Sequence, residues 1–308
     1  MRKTSLDCVY ELAKKDKRII FVGSDLGPGV LDDFKKNIPD RFFMEGVAEQ
    51  YIIGMSAGLA KEGFIPYVNT ISTFITRRCY EQVAIDLCLH NLPVRLIGNG
   101  GGLVYAPLGP THLAIEDISL MRSIPNMTII SPCDANEMKN LMMQTADYKS
   151  PIYVRLGRGG EEVITSSVKN FEIGKGILLK KPKEVLIISC GTMTQKSLKV
   201  SKILSQQNIE AGVLHINTIK PIDQEKIIHN SKNCKLIVTL EEHVRTGGLG
   251  SSVLECINDN NKNFLNKVLR IGLEDKFPEQ YGNQQTLQDA SGLSDTKIVK
   301  NILLNLKK

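Results

Sequence analysis

Glu49 stands in the run FFMEGVAEQY, residues 42–51, where most neighbours are apolar and burial is expected. A carboxylate in low dielectric is costly unless it is paired with a cation or held protonated in a hydrogen bond, so its presence there asks for a chemical reason. Glu45 lies just before the turn at Gly46 and can reach solvent. The local pattern reads residues 41–44 as a short strand, Gly46 as a turn and residues 47–61 as a helix, with Ile52, Ile53, Met55, Ser56, Ala57 and Leu59 on its inner side. Glu49 then falls in the first helical turn, just past the carboxyl end of a strand. Open α/β sheets bind ligands at that edge, and a helix N-terminus favours negative charge there. A solvent-facing capping glutamate fits the same position, so position alone leaves both readings open. A second place for chemistry is Gly247-Gly248-Leu249-Gly250, which opens a predicted helix. Such a turn either cradles phosphate or lets the helix pack closely on the sheet.

The elements that must position these residues alternate along the chain. Strand patterns at residues 18–23, 64–69, 93–98, 127–131 and 152–156 are separated by helical patterns at 5–15, 47–61, 75–89, 115–123 and 136–148. A polar stretch with glycine and lysine follows, and the alternation restarts with strands at 185–189, 211–217, 235–241 and 267–271 and a helix at 251–258. The expected fold is α/β with two domains, each a mostly parallel open sheet flanked by helices. A chain of 308 residues is long enough for two cores. The boundaries read as a domain at 1–160, a linker at 161–183 and a second domain at 184–308.

Charge is dispersed, 39 basic against 33 acidic residues, and the short cluster Lys180, Lys181, Lys183 reads as a solvated surface; nucleic-acid binding is not expected. The seven cysteines (Cys8, Cys79, Cys88, Cys133, Cys190, Cys234, Cys256) show neither CxxC spacing nor a metal-ligand cluster with histidine, as in a reduced, cytoplasmic protein without a leader. No apolar run approaches the ~20 residues of a membrane span, so no membrane association is expected. Of the histidines, His90 and His229 read as helix-end surface residues, while His215 and His243 are undecided.

In chain order, RKTS (2–5), GVAEQ (46–50), STF (72–74), RRCYEQ (77–82), GPTH (109–112), IPNMTIISP (124–132), YVRLGRG (153–159), NTIKPID (217–223) and EEHVRTGGLGSSV (241–253) together resemble the transketolase superfamily of thiamine-diphosphate enzymes. The resemblance spans nearly the whole chain and corresponds to the pyrimidine-binding domain and the C-terminal domain of that superfamily. It implies that Glu49 hydrogen-bonds the aminopyrimidine of thiamine diphosphate and activates the cofactor, that Phe74 stacks on the same ring, and that Asp25 in DLGPG is a further cofactor-binding residue. It implies that His112 faces the reacting carbonyl and hydroxyl of the substrate as a proton donor or acceptor. Arg2, Arg155 and Arg158 resemble a clamp for the phosphate of a sugar. The superfamily's diphosphate domain carries GDG and a later Asn that holds Mg²⁺. This chain has no GDG, and Asn260-Asn261-Lys262 lacks that context. Mg²⁺ would thus be ligated mainly by a partner, an N-terminal diphosphate-binding subunit in an α₂β₂ heterotetramer, and the glycine-rich turn at 247–250 reads as packing.

Some positions depart from the family pattern. Leu108 stands where relatives place an aspartate that bonds a substrate hydroxyl, the segment 98–102 lacks the usual histidine or arginine, and Gly29 replaces a phosphate-binding serine. A buried leucine gives a hydroxyl no partner, so sugar substrates other than the standard pentose phosphates are expected. The leading reading is a subunit that transfers a two-carbon ketol or related acyl unit between sugar or sugar-phosphate substrates. The alternatives are the β subunit of a 2-oxo-acid dehydrogenase, a deoxyxylulose-phosphate-synthase-like carboligase, and a non-catalytic pseudo-subunit.

Overall fold

Strand and helix alternate through the computed structural model, which describes residues 1–24, 29–260 and 266–306. The chain forms two compact units, residues 1–101 with 120–173 and residues 102–119 with 174–308. The expected boundary near Gly160 assigns 102–119 to the first domain. By packing they belong to the second unit, because Leu103, Ala106, Leu113 and Ile115 enter its apolar core and the Val244 N–H donates to the Ile115 carbonyl at 2.8 Å.

In the first unit, β1 (Ile19–Gly23), β2 (Phe42–Met44), β3 (Ile65–Ile71), β4 (Arg95–Asn99), β5 (Thr128–Ile130) and β6 (Ile152–Arg155) run parallel in the order β5-β6-β4-β3-β1-β2. Every position of β1, β4 and β6 is buried, as their apolar runs require of strands covered on both faces. The helices Arg2–Lys15 and Ala135–Gln144 contribute Leu6, Val9, Met138 and Leu141 to a core that includes Phe21 and Phe34. Burying each such side chain stabilises the fold by about 1.5–3 kcal/mol. Arg95 is fully buried in β4; its guanidinium donates to the carbonyls of Thr145 (2.8 Å), Ser150 (2.9 Å) and Tyr148, tying the end of one helix to the sheet. Residues 131–134, SPCD, build a cap. Asp134 accepts from the Glu137 N–H at 2.9 Å while Glu137 accepts from the Cys133 N–H at 2.7 Å, so two donors of the helix start are satisfied reciprocally.

Since β1 has β2 on one side and β3 on the other, the chain reverses its direction across the sheet at this point. The carboxyl ends of β1, β2 and β3 therefore border the crevice at which such sheets take ligands.

In the second unit, β7 (Ile177–Lys180), β8 (Val185–Ser189), β9 (Ala211–His215), β11 (Leu236–Val244) and β12 (Lys267–Leu273) form a sheet in the order β12-β11-β8-β9-β7; β10 (Thr218–Lys220) follows β9 in the chain. All pairs are parallel except β7 with β9. The expected linker at 161–183 thus contains a strand, with Ile177, Leu178 and Leu179 supplying apolar side chains that a sequence flanked by lysines obscures. A further difference, in the first unit, is the expected helix at 75–89. It is broken into the turns Ser72–Thr76 and Tyr80–Gln82 and a π-helical segment Val83–Leu89.

None of the seven cysteines is in a disulfide, and all are buried. Burial pushes the thiols of Cys8, Cys234 and Cys256 up to about 11, where they are poor nucleophiles near neutral pH. Among the described residues no helix is long and apolar enough to cross a membrane.

Candidate active site

Glu49 is the first residue of the helix Glu49–Lys61, which begins five residues beyond β2. Its side chain is 2% exposed while the flanking Val47 is 75% exposed and Tyr51 is 59% exposed. The expectation of a buried apolar run is therefore corrected. Val47, Ala48, Gln50 and Tyr51 face outward, and of these five residues at the helix start the carboxylate alone turns in. Glu49 Oε2 accepts from Arg78 Nη1 at 2.6 Å, whereas Oε1 is buried with no hydrogen-bond partner among the described residues. A solvent-facing cap would have neither feature.

Phe74 follows β3 in the turn Ser72–Thr76 and presents its ring to the same arginine, whose guanidinium carbon lies 4.3 Å from the ring centroid. The Cys79 thiol donates to the Phe74 carbonyl at 3.1 Å. Burial, and then the charge of Glu49, push that thiol up to about 12, so Cys79 braces the turn and is no nucleophile.

Beside these residues, the carboxyl ends of β3 and β4 are lined by buried polar groups. Ser24 Oγ donates to Thr70 Oγ1 at 2.6 Å, and Asn99 Nδ2 donates to Asn69 Oδ1 at 2.9 Å. Asn69 Nδ2, Ser72 Oγ, Thr73 Oγ1 and Asn99 Oδ1 are buried with no hydrogen-bond partner among the described residues. Buried polar atoms are normally paired, so a group of them at a ligand-binding sheet edge, in the same unit as Glu49, fits a polar molecule bound there. At the end of β6, Arg155 is 7% exposed. A Cβ on Gly101 would come within 2.7 Å of its Cγ and Nε, so glycine at 101 is what lets this side chain lie across the loop after β4.

In the second unit, His112 closes a turn after the 3₁₀ segment Ala106–Leu108, its N–H donating to the Gly109 carbonyl at 2.9 Å. Thr111 Oγ1 lies 2.8 Å from His112 Nδ1, and Tyr105 meets the imidazole edge-on at 6.4 Å. Two contacts thus orient a half-buried ring. Leu108, on the same turn, is 50% exposed, which corrects the expectation that it is buried. The tight 3₁₀ turn projects it outward.

Two family descriptions match the chain: the pyrimidine binding domain of transketolase over residues 1–160, and the C-terminal domain of transketolase over residues 174–298. An apulose-4-phosphate transketolase subunit of Phocaeicola vulgatus is 36% identical over all of this chain and 97% of its own. The chain belongs to the transketolase family. Its sequence is also 39% identical to the 1-deoxy-D-xylulose-5-phosphate synthase of Halothermothrix orenii, over 87% of this chain but only 42% of that longer enzyme. Among solved structures, a split-gene transketolase in the form of an inactive β₄ tetramer superposes with a TM-score of 0.90 at 34% identity, covering 99% of this chain and 98% of the other. The match identifies the chain as the pyrimidine-binding and C-terminal part of a split transketolase-like enzyme. The family uses thiamine diphosphate with a divalent metal.

Against that family pattern the remaining residues are placed unevenly. Arg2 and Gly29 line one cavity of about 420 Å³ together with Lys3, but Asp7, Asp32 and Asp33 line it too, and Arg155 is not among its walls. Arg158 is exposed beyond β6. Asp25, Asn261 and Lys262 lie outside the described residues. The glycine-rich turn at 247–250 is filled by the chain itself: buried Glu241 accepts from the Leu249 N–H at 2.7 Å and the Gly250 N–H at 2.9 Å, and a Cβ on Gly248 would come 2.0 Å from Glu241 Oε2. The donors that could have cradled phosphate are already taken. His215 and His243 are buried, His215 Nδ1 2.7 Å from Thr194 Oγ1 and His243 accepting from the Ser119 N–H at 3.3 Å; His90 and His229 are exposed. Sequence patterns alone do not single out Arg78 or the pair Asn69–Asn99. A signal for Arg78 is present in RRCYEQ, which puts two cations directly after the STF turn.

Proposed function

We propose that this chain is the pyrimidine-binding subunit of a thiamine-diphosphate-dependent transketolase, completed by a separate diphosphate-binding subunit in an α₂β₂ assembly, and that it serves transfer of a two-carbon ketol unit between sugar phosphates. The observation that carries the proposal is Glu49, a buried carboxylate with one unpartnered oxygen at the crevice edge, beside an aromatic face. Glu49 and Phe74 would hold the aminopyrimidine of the cofactor, and Mg²⁺ would be held mainly by the partner. When bound, thiamine diphosphate supplies the carbon nucleophile that a protein side chain cannot.

The chain's own residues then have separate tasks. Glu49, buried at a helix start, would share a proton with a ring nitrogen of the bound cofactor. Phe74 fixes the plane of that ring. His112, oriented through Nδ1 by Thr111, exchanges a proton with the substrate's carbonyl oxygen or hydroxyl. Arg155, packed against Gly101 at the end of β6, would supply positive charge for the substrate phosphate, while Arg2 lines a separate cavity and Arg158 lies exposed beyond the strand. Two findings on relatives support this reading: one relative of nearly equal length is named a transketolase subunit, and the β chains of a split transketolase stand alone as an inactive tetramer. The deoxyxylulose-phosphate-synthase likeness favours a second reading, in which the donor is a 2-oxo acid such as pyruvate.

Reconstitution with a diphosphate-binding subunit, thiamine diphosphate and Mg²⁺ tests the proposal and its substrate class together. Ketol transfer from a ketose phosphate is expected, and transfer from pyruvate, with loss of carbon dioxide, to an aldose phosphate acceptor favours the second reading. Xylulose 5-phosphate and ribose 5-phosphate are expected to be poor substrates. At half-exposed Leu108 a hydroxyl keeps its water but lacks the hydrogen bond a carboxylate would give, which costs about 0.5–1.5 kcal/mol, or about 2- to 12-fold in kcat/KM. Leu108→Asp should improve both. Efficient wild-type turnover of the pair, harmed by the aspartate, contradicts that role for Leu108.

A further inference from the structure

Arg78 makes two contacts with a single planar group. Its guanidinium lies over the Phe74 ring at 4.3 Å and donates to Glu49 Oε2 at 2.6 Å. Stacking on Phe74 and hydrogen bonding to Glu49 are the same two interactions that the proposed function asks of an aminopyrimidine. Guanidinium and aminopyrimidine are both flat and delocalised, and both hydrogen-bond a carboxyl group, the first by donating from N–H and the second by taking a proton on a ring nitrogen, so one can stand in for the other. Arg78 takes Glu49 Oε2 and leaves Oε1 open, so the two compete for the face of Phe74 that the guanidinium covers.

The backbone around Arg78 is held by bonds that do not involve its side chain. Gln50, in the helix that carries Glu49, donates to the Arg78 carbonyl at 3.1 Å, and the Arg77 N–H donates to the Thr73 carbonyl at 3.1 Å. The Arg78 side chain is 44% exposed, against 2% for Glu49. It can swing into water without breaking any of those backbone bonds.

We infer that Arg78 is a built-in plug of the aminopyrimidine site: in the chain without cofactor it fills the ring's place on Phe74 and neutralises Glu49, and it must swing out for the ring to dock. This rests on Glu49 and Phe74 being the pair that holds the pyrimidine. The plug spares the empty site a buried, unpaired carboxylate. In return it lowers the apparent affinity by the fraction of chains in which the arginine is already displaced.

The test uses the full-length chain and the probe 4-amino-5-hydroxymethyl-2-methylpyrimidine, titrated by NMR into wild type, Arg78→Ala, Arg78→Lys, Phe74→Ala and Glu49→Gln, with labelled arginine side chains as a second readout. Arg78→Ala is expected to bind the pyrimidine about 3- to 10-fold more tightly than wild type. Arg78→Lys, which keeps the charge but cannot stack as a plane, is expected to fall between them. In wild type the Arg78 side-chain resonance should lose its ring-current shift as the pyrimidine saturates. Binding that depends on Glu49 and Phe74 but is unchanged or weakened in Arg78→Ala overturns the plug and leaves the assignment of the site standing. Binding that is absent throughout, or indifferent to Glu49 and Phe74, overturns both.

Discussion

Glu49→Gln in the reconstituted complex is expected to lower turnover by several orders of magnitude while the chain still folds and assembles. Glutamine keeps the volume of the side chain and one acceptor oxygen, so the apolar packing around the helix start survives. It cannot share a proton with a ring nitrogen, and the proposed activation depends on that proton. The position tolerates the neutral replacement because glutamine leaves no charge buried, and the freed guanidinium of half-exposed Arg78 can take water. Steady-state turnover with circular dichroism and sedimentation of the same samples separates the two effects. Near-wild-type turnover would return Glu49 to the role of a helix-start carboxylate, and loss of assembly would make it structural.

His112→Ala is expected to slow transfer by about 10²- to 10⁴-fold, the range for a positioned acid-base group, with affinity for the cofactor kept. The ring is held through Nδ1 by Thr111 and against Tyr105, neither of which belongs to the cofactor-holding pair. Its loss therefore falls on steps at the substrate. Single-turnover measurements and a cofactor titration on the same variant resolve this. Cofactor binding that collapses together with the rate contradicts a substrate-facing role for His112.

Much of the site's framework could be read from local patterns. The turn at Gly46 and the helix after it place Glu49 at a strand's carboxyl end, and the alternation of strand and helix gives two mostly parallel sheets. What those patterns miss is set by tertiary contact. Val47 and Tyr51 look like core residues by type, yet they are exposed, because burial at a helix start depends on which side meets the sheet. The break of the predicted helix at 75–89 leaves no glycine or proline signature. Residues 102–119 follow β4 directly, but their apolar side chains find their core in the second unit. RRCYEQ places two cations after the STF turn but does not make Arg78 a site residue, because an arginine on a short turn reads as surface until its neighbours are known to be a buried carboxylate and an aromatic face.

Calorimetric titration of thiamine diphosphate with Mg²⁺ into the purified chain, alone and after mixing with a diphosphate-binding subunit, tests most directly whether this chain is one half of a shared cofactor site. The expected result is no micromolar binding by the chain alone and saturable binding once the partner is present. Micromolar binding by the chain without any partner would contradict the division of the site between two polypeptides.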